Sequence, residues 1–136
     1  MERVVGLDVG TKRTGISSGY TALGIASGYT AVETKQLLST LTQLHSEEPI
    51  AILVVGKPLQ MNGEPSESMG FIEKKIQEIN QKLNLSVTWQ DERFTSKMAS
   101  KALVEMNARK SVRQNRSVID EVSATLILQS YFDSRL

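Results

Sequence analysis

Six consecutive apolar residues, Ile50 to Val55, stand in this chain without a polar interruption and are closed by Gly56. A strand with one wet face alternates polar and apolar. A run that is apolar at every position must be covered on both faces, as in the helix-flanked, largely parallel sheets of α/β proteins. The rest of the chain must then supply helices for two faces, and the spacing provides them. Thr34 can cap a helix that carries Leu37, Leu38, Leu41 and Leu44 on one side and ends before Pro49. Ser66 to Leu83 repeats Met69, Ile72, Ile76, Ile79 and Leu83 at helical intervals, with Asn84 as a C-cap. Another helix starts at Thr95 or Ser96, and Ser117 to Phe132 forms the last.

The strands are equally legible. Arg3 to Val9, the turn Gly10-Thr11-Lys12 and Thr14 to Ser18 read as an opening β-hairpin, and Ser86 to Gln90 as a short later strand. Between hairpin and first helix lies an exact repeat, Ser18-Gly19-Tyr20-Thr21-Ala22 and Ser27-Gly28-Tyr29-Thr30-Ala31, which reads as local strand-and-turn chemistry. The expected order is β-β-β-α-β-α-β-α-α, a mixed sheet with an antiparallel start, flanked by helices. At 136 residues and 40% hydrophobic the chain fits one domain spanning 1–136.

Composition excludes several chemistries. With no cysteine and one histidine, His45, there is no disulfide, no thiolate zinc site, no cysteine nucleophile and no multi-histidine cage. His45, near a helix end, reads as a surface residue. Any metal must be held by oxygen, which favours Mg²⁺ or Mn²⁺. No stretch approaches the roughly 20 apolar residues of a spanning helix, and Met1-Glu2-Arg3-Val4 lacks a signal pattern. The expectation is a soluble, cytoplasmic protein with no membrane partner. The net charge is only +1, but Arg93 to Arg116 holds seven cations (Arg93, Lys97, Lys101, Arg109, Lys110, Arg113, Arg116) against Glu105. That stretch is either a solvated helix face plus loop or a surface for a polyanion.

Three acids stand out. Asp8 sits inside Val4-Val5-Gly6-Leu7-Asp8-Val9-Gly10, where an ionised carboxylate needs a cation, a hydrogen-bond cradle or a metal to offset desolvation. The alternative is a cap on the following turn. Gly6 and Gly10 beside it would leave room for a ligand to approach. Glu92 falls just after a strand and before a helix, the junction where ligand-binding groups collect in such sheets. Its neighbour Asp91 must point the other way, so at most one of the pair shares a site with Asp8. Asp120, one turn into the last helix, could simply complement the helix dipole. Yet Ser123, Ala124, Ile127 and Tyr131 share its face, a small and apolar stripe that would pack on the sheet and direct the carboxylate inward.

Four blocks carry a resemblance: Gly6-Leu7-Asp8-Val9-Gly10-Thr11-Lys12-Arg13-Thr14-Gly15, Val54-Val55-Gly56-Lys57-Pro58-Leu59-Gln60-Met61-Asn62-Gly63, Asp91-Glu92-Arg93-Phe94-Thr95-Ser96, and Ile119-Asp120-Glu121-Val122-Ser123-Ala124 leading to Ile127-Leu128-Gln129-Ser130-Tyr131. In this order and spacing the chain resembles the YqgF/RuvX family of Holliday-junction resolvases and pre-16S rRNA nucleases, whose fold is RNase H-like. It departs from the family pattern at Ser18-Gly19, where members often carry Ser-Asp, and lacks a proline common before the first helix. The resemblance implies Asp8, Glu92 and Asp120 as catalytic and metal-binding acids, the same three that burial selects. The implied reaction is phosphodiester hydrolysis with two Mg²⁺ or Mn²⁺ ions about 3.5–4 Å apart. Asp8 would be shared between the ions, with Glu92 and Asp120 each on one.

Lys12, Arg13, Lys57, Asn62, Arg93, Arg109, Lys110, Arg113 and Arg116 are then the expected nucleic-acid contacts, made to phosphates without sequence readout. The partner is pre-rRNA or branched DNA, and the protein a monomer or homodimer. Without metal, three carboxylates and no neutralising histidine should repel one another. Two other classes remain open. One is a catalytically silent nucleic-acid-binding adaptor. The other is an actin-like nucleotide-binding module, since Asp8-Val9-Gly10-Thr11-Lys12 also resembles the phosphate-binding hairpin of those ATPases.

Overall fold

The computed structural model describes residues 1–58, 67–91 and 116–135. Among them five strands form one sheet: β1 (Arg3–Val9), β2 (Arg13–Tyr20), β3 (Ile25–Glu33), β4 (Ile52–Lys57) and β5 (Ser86–Asp91), in the spatial order β3-β2-β1-β4-β5. The β1–β2 and β2–β3 pairs are antiparallel, and the β1–β4 and β4–β5 pairs parallel. Three α-helices cover it: α1 (Leu37–Glu47), entered through a 3₁₀ turn at Thr34–Gln36, α2 (Met69–Leu83) and α3 (Arg116–Asp133). This is the RNase H-like arrangement.

The sheet separates two cores, and strand parity assigns each side chain to one of them. Val5, Leu7, Val9, Ile16, Leu53 and Val55 meet the α1 residues Leu37, Leu41 and Leu44 and the α2 residues Ile72, Ile76 and Ile79. Val4 and Val54 lie on the other side, against Ile127, Leu128, Tyr131 and Phe132 of α3. The uninterrupted apolar run of β4 is thus explained by burial on both faces. The strand itself begins later than its hydrophobicity suggests. Ile52 is its first residue, and Ile50 is buried in the preceding connection.

Two local readings are revised, and a third is refined. Thr34 does not cap α1. Its hydroxyl donates to the Gly10 carbonyl at 2.6 Å and lies 2.9 Å from the Thr14 hydroxyl, tying the tip of the first hairpin to the end of β3. His45 is half-buried and structural, because its Nδ1 accepts the Ile50 N–H at 3.0 Å and closes the α1–β4 connection. The repeated pentapeptide adopts two conformations. Its second copy lies wholly within β3, whereas the first ends β2 and enters a turn in which the N–H groups of Leu23 and Gly24 donate to the Tyr20 carbonyl. Gly24, at φ 66°, supplies the left-handed residue that this turn needs. Tyr29 is left opposite no partner where the β2–β3 register shifts, from Ile16↔Thr30 to Ser17↔Gly28. Asn84 is the left-handed C-cap expected of α2, with φ 52° and ψ 54°.

Candidate active site

Asp8 is the penultimate residue of β1. Val5, Leu7 and Val9 belong to the α1/α2 core, so the alternate residues Gly6 and Asp8 face α3. On β2 the same face carries Arg13, Gly15, Ser17 and Gly19, and Gly15 is the residue paired directly with Asp8. What distinguishes this face is how closely α3 lies upon it. A Cβ on Gly15 would run into the main-chain carbonyl of Asp120, one on Gly6 would come within 2.8 Å of the Leu128 Cβ, and one on Gly19 within 2.8 Å of the Phe132 ring. Ser17 fastens the contact by donating its hydroxyl to the Ala124 carbonyl at 2.7 Å. Asp120 is therefore stacked over Gly15 while Asp8 lies beside Gly15 on the adjacent strand. The helix and the hairpin bring two of the three acids to one place.

This geometry reassigns the glycines. Gly6 leaves no room for a ligand, because α3 and the Ser17 hydroxyl use the space. Gly10 is bare for the turn, where its N–H donates to the Arg13 carbonyl at 2.9 Å and a Cβ would meet the same oxygen at 2.6 Å. Gly15, which carries the closest approach, has no special mark in the sequence. The alternation of small residues Gly15, Ser17 and Gly19 on one face of β2, opposite a small-residue helix stripe, is the signal that could have revealed it.

Asp120 has a cation against it. The Arg13 Nε donates to Asp120 Oδ2 at 3.0 Å, with side chains 34% and 24% exposed, so this acid is paired with a cation within the chain. One turn along α3, the Ser123 hydroxyl is buried and has no hydrogen-bond partner among the described residues. A carboxylate that holds a guanidinium has the charge and the exposure to hold a metal cation, and an orphaned hydroxyl costs about 1–3 kcal/mol unless something satisfies it.

At the carboxyl edge of the sheet, β5 places the first of the two neighbouring acids, Asp91. Val87 and Trp89 pack towards the α1/α2 core, Gln90 reaches Ser130 of α3 at 3.2 Å, and Asp91 therefore lies on the face away from Asp8. Lys57, paired in register with Asp91, shares that opposite parity. Lys12 is exposed at the hairpin tip, where it lines a cleft of about 600 Å³ with Thr11, Arg13, Glu33, Lys35 and Ser117. Glu92, Asn62, Arg93, Arg109, Lys110 and Arg113 lie outside the described residues, as does the side chain of Arg116. Among the described residues no three acids cluster closely enough to hold a metal.

Residues 2–134 match the family model of RuvX, Holliday junction resolvase. The chain belongs to the RuvX family. A relative from Bacteroides fragilis, named "Putative pre-16S rRNA nuclease", is 41% identical over 136 residues covering 99% of each chain. One of the same name from Flavobacterium psychrophilum is 36% identical over 137 residues and 100% of both. RuvX proteins of this kind are nucleases, and this chain is a hydrolase of that class. Among solved structures the fold is similar to Thermus thermophilus RuvC in complex with Holliday junction substrate, with a TM-score of 0.58, 11% identity and coverage of 99% of this chain and 96% of that one. At that identity the likeness establishes the RNase H-like fold alone.

Proposed function

We propose that the protein is a divalent-metal-dependent endonuclease that cuts phosphodiesters of structured nucleic acid, with the 5′ end of pre-16S rRNA as its substrate. The observation that carries this reading is the convergence of Asp8 and Asp120 on Gly15, from positions 112 residues apart in the sequence, on a face where the Arg13 guanidinium already pairs with Asp120. The full-length similarity to relatives named for pre-16S rRNA favours that substrate. The family description favours a second, four-way junction DNA, which the same acids would serve.

Asp8, Glu92 and Asp120 would hold Mg²⁺ or Mn²⁺ through oxygen alone. When bound, such ions activate water and neutralise charge on the attacking and leaving oxygens of the phosphodiester. The chain's own contribution is placement. Hairpin β1–β2 fixes Asp8, and the Ser17–Ala124 bond and the glycine contacts hold α3 at the height that keeps Asp120 beside it. Asp91 lies on the opposite face from Asp8, which favours the neighbouring acid, Glu92, for the third ligand. Lys12 and Arg13, which line the cleft at the hairpin tip, would contact the phosphate backbone. The cationic segment Arg93 to Arg116 would add contacts without sequence readout.

The test is a cleavage panel of precursor rRNA, junction DNA and RNA–DNA hybrid with Mg²⁺ and with Mn²⁺, repeated for Asp8→Asn, Glu92→Gln and Asp120→Asn. Each variant should bind substrate and fail to cut it. Wild-type cleavage by Asp8→Asn would refute the active-site assignment. Binding without cleavage by the wild type would favour the adaptor, and nucleotide hydrolysis instead would favour the actin-like module.

A further inference from the structure

Arg13 faces two ways at once. Its guanidinium is bonded through Nε to Asp120, and its side chain also lines the cleft that Lys12, Lys35, Thr11 and Ser117 border. The pair is only half-buried, at 34% and 24% exposure, and it is monodentate. Such a bond is weak enough to exchange, because partly exposed single ion pairs contribute little and are screened by salt. The base of the side chain, in contrast, is fixed. The Gly10 N–H donates to the Arg13 carbonyl at 2.9 Å, the Thr34 N–H donates to the Lys12 carbonyl at 2.9 Å, and the Thr34 hydroxyl holds the Gly10 carbonyl at 2.6 Å. A guanidinium on a rigid tether can swing between Asp120 and the cleft without the backbone moving. Lys35, another cation there, is exposed and lies 3.2 Å from Glu33, and Lys12 makes no ion pair with a described residue. Among the described residues of this cleft, Arg13 alone is coupled to a candidate metal carboxylate.

We propose that Arg13 is the site's internal counter-cation, exchanged at Asp120 for the divalent ion and released by that exchange to bind a substrate phosphate in the cleft. The inference rests on the nuclease reading, since it assumes that Asp120 holds metal. It makes metal loading and nucleic-acid binding mutually reinforcing. Whatever displaces the guanidinium from Asp120 favours its pairing with phosphate, and by linkage a bound phosphate that captures Arg13 frees Asp120 for metal. A residue that only clamps the hairpin to α3 would produce no such coupling.

The experiment uses the full chain and two measurements, neither of which needs cleavage. The first is Mn²⁺ affinity by electron paramagnetic resonance of the free ion, for wild type, Arg13→Gln, Arg13→Lys and Asp120→Asn. Removing the competing cation should tighten Mn²⁺ binding about fivefold in Arg13→Gln, the factor expected of a partly exposed ion pair. Arg13→Lys, which keeps a cation on the same tether, should stay near wild type. The second is junction-DNA affinity by fluorescence anisotropy across a salt series, with and without Ca²⁺. Ca²⁺ should steepen the wild-type salt slope by about one unit, the increment due to one more neutralised phosphate, and leave the slope of Arg13→Gln unchanged. Unchanged or weaker Mn²⁺ binding by Arg13→Gln, with wild-type binding that depends on Asp120, overturns the exchange while sparing the nuclease reading. Mn²⁺ binding equal in wild type and Asp120→Asn overturns both. Loss of fold in Arg13→Gln, seen by circular dichroism while Arg13→Lys remains folded and shows a Ca²⁺-independent salt slope, assigns Arg13 to clamping and overturns the exchange.

Discussion

Gly15→Ala is the substitution that most directly tests how this site is built. An alanine Cβ at that position meets the main-chain carbonyl of Asp120 and lies 3.0 Å from the Glu121 amide nitrogen. Neither partner can rotate away, because both are helix backbone, so α3 must retreat until the carbonyl reaches at least the 3.4 Å of ordinary van der Waals contact. Overpacking of this kind costs about 1–3 kcal/mol, and a rigid partner places it at the upper end. Against this, replacing glycine inside a strand returns roughly 0.5–1 kcal/mol of chain entropy. The net loss is about 2 kcal/mol. With an m value of about 2 kcal/mol per molar urea, the midpoint should fall by about 1 M. Two glycines supply the scale. Gly28→Ala has the flexible Glu121 side chain as its nearest contact, which can move aside, and Gly70→Ala meets nothing within 4 Å, so its midpoint should rise. The Gly15→Ala protein should also cleave more slowly at saturating metal, because a lifted α3 takes Asp120 with it. A Gly15→Ala midpoint equal to that of Gly70→Ala would refute the claim that close helix approach positions the acid.

Other substitutions probe single groups. Ser123→Ala should stabilise the metal-free protein by about 1 kcal/mol in urea titrations, because it deletes a buried hydroxyl without a described partner. A loss of that size would show that the hydroxyl is satisfied. His45→Ala should lower stability by about 1 kcal/mol by orphaning the Ile50 N–H, and His45→Asn should recover part of it, read by thermal melts. The Tyr20 phenol is held above its ordinary value, first by its hydrogen bond to Glu48, then by burial and the Glu48 charge. A raised pKa favours the neutral phenol in the fold, so its contribution is complete below the unfolded value near 10 and is lost as pH rises through the folded value. Melting temperature should therefore fall more steeply above about pH 10 in wild type than in Tyr20→Phe.

Periodicity exposed most of the fold because both periods are written in residues that have no other use. The β4 run and the stripe Met69, Ile72, Ile76, Ile79 and Leu83 can only be core, and all but Ala51, Ile52 and Leu83 of these residues are buried in the structure. The third strand is expected in the element order, but its bounds are not marked, for the opposite reason. Ser27-Gly28-Tyr29-Thr30-Ala31 lies at the sheet edge, largely exposed on one side, and carries a register shift, so neither alternation nor hydrophobicity marks it. Thr34 and His45 misled because a hydroxyl or an imidazole near a helix end has several equivalent local partners in sequence. Which one it takes is decided by chain segments outside that helix, here the Gly10 carbonyl and the Ile50 amide.

The site divides along the same line. Asp8 and Asp120 were legible because each is an acid where an apolar face is otherwise demanded, and that is a property of its own neighbours. The Arg13–Asp120 bond spans 107 residues and is a property of how α3 lies over β2, which no local pattern states. It nevertheless follows from parity once the register is known. Arg13, Gly15, Ser17 and Gly19 share one face of β2, and a helix that descends onto the last three must place its first turn beside the first. The glycines that admit the helix therefore also fix which arginine meets the acid. Enlarging Gly15 and removing Arg13 should accordingly be non-additive: in the double variant α3 is already displaced, and losing a guanidinium that no longer reaches Asp120 should change Mn²⁺ affinity far less than it does alone. Full additivity in that double-variant cycle would mean that the helix contact and the ion pair are independent features of the fold.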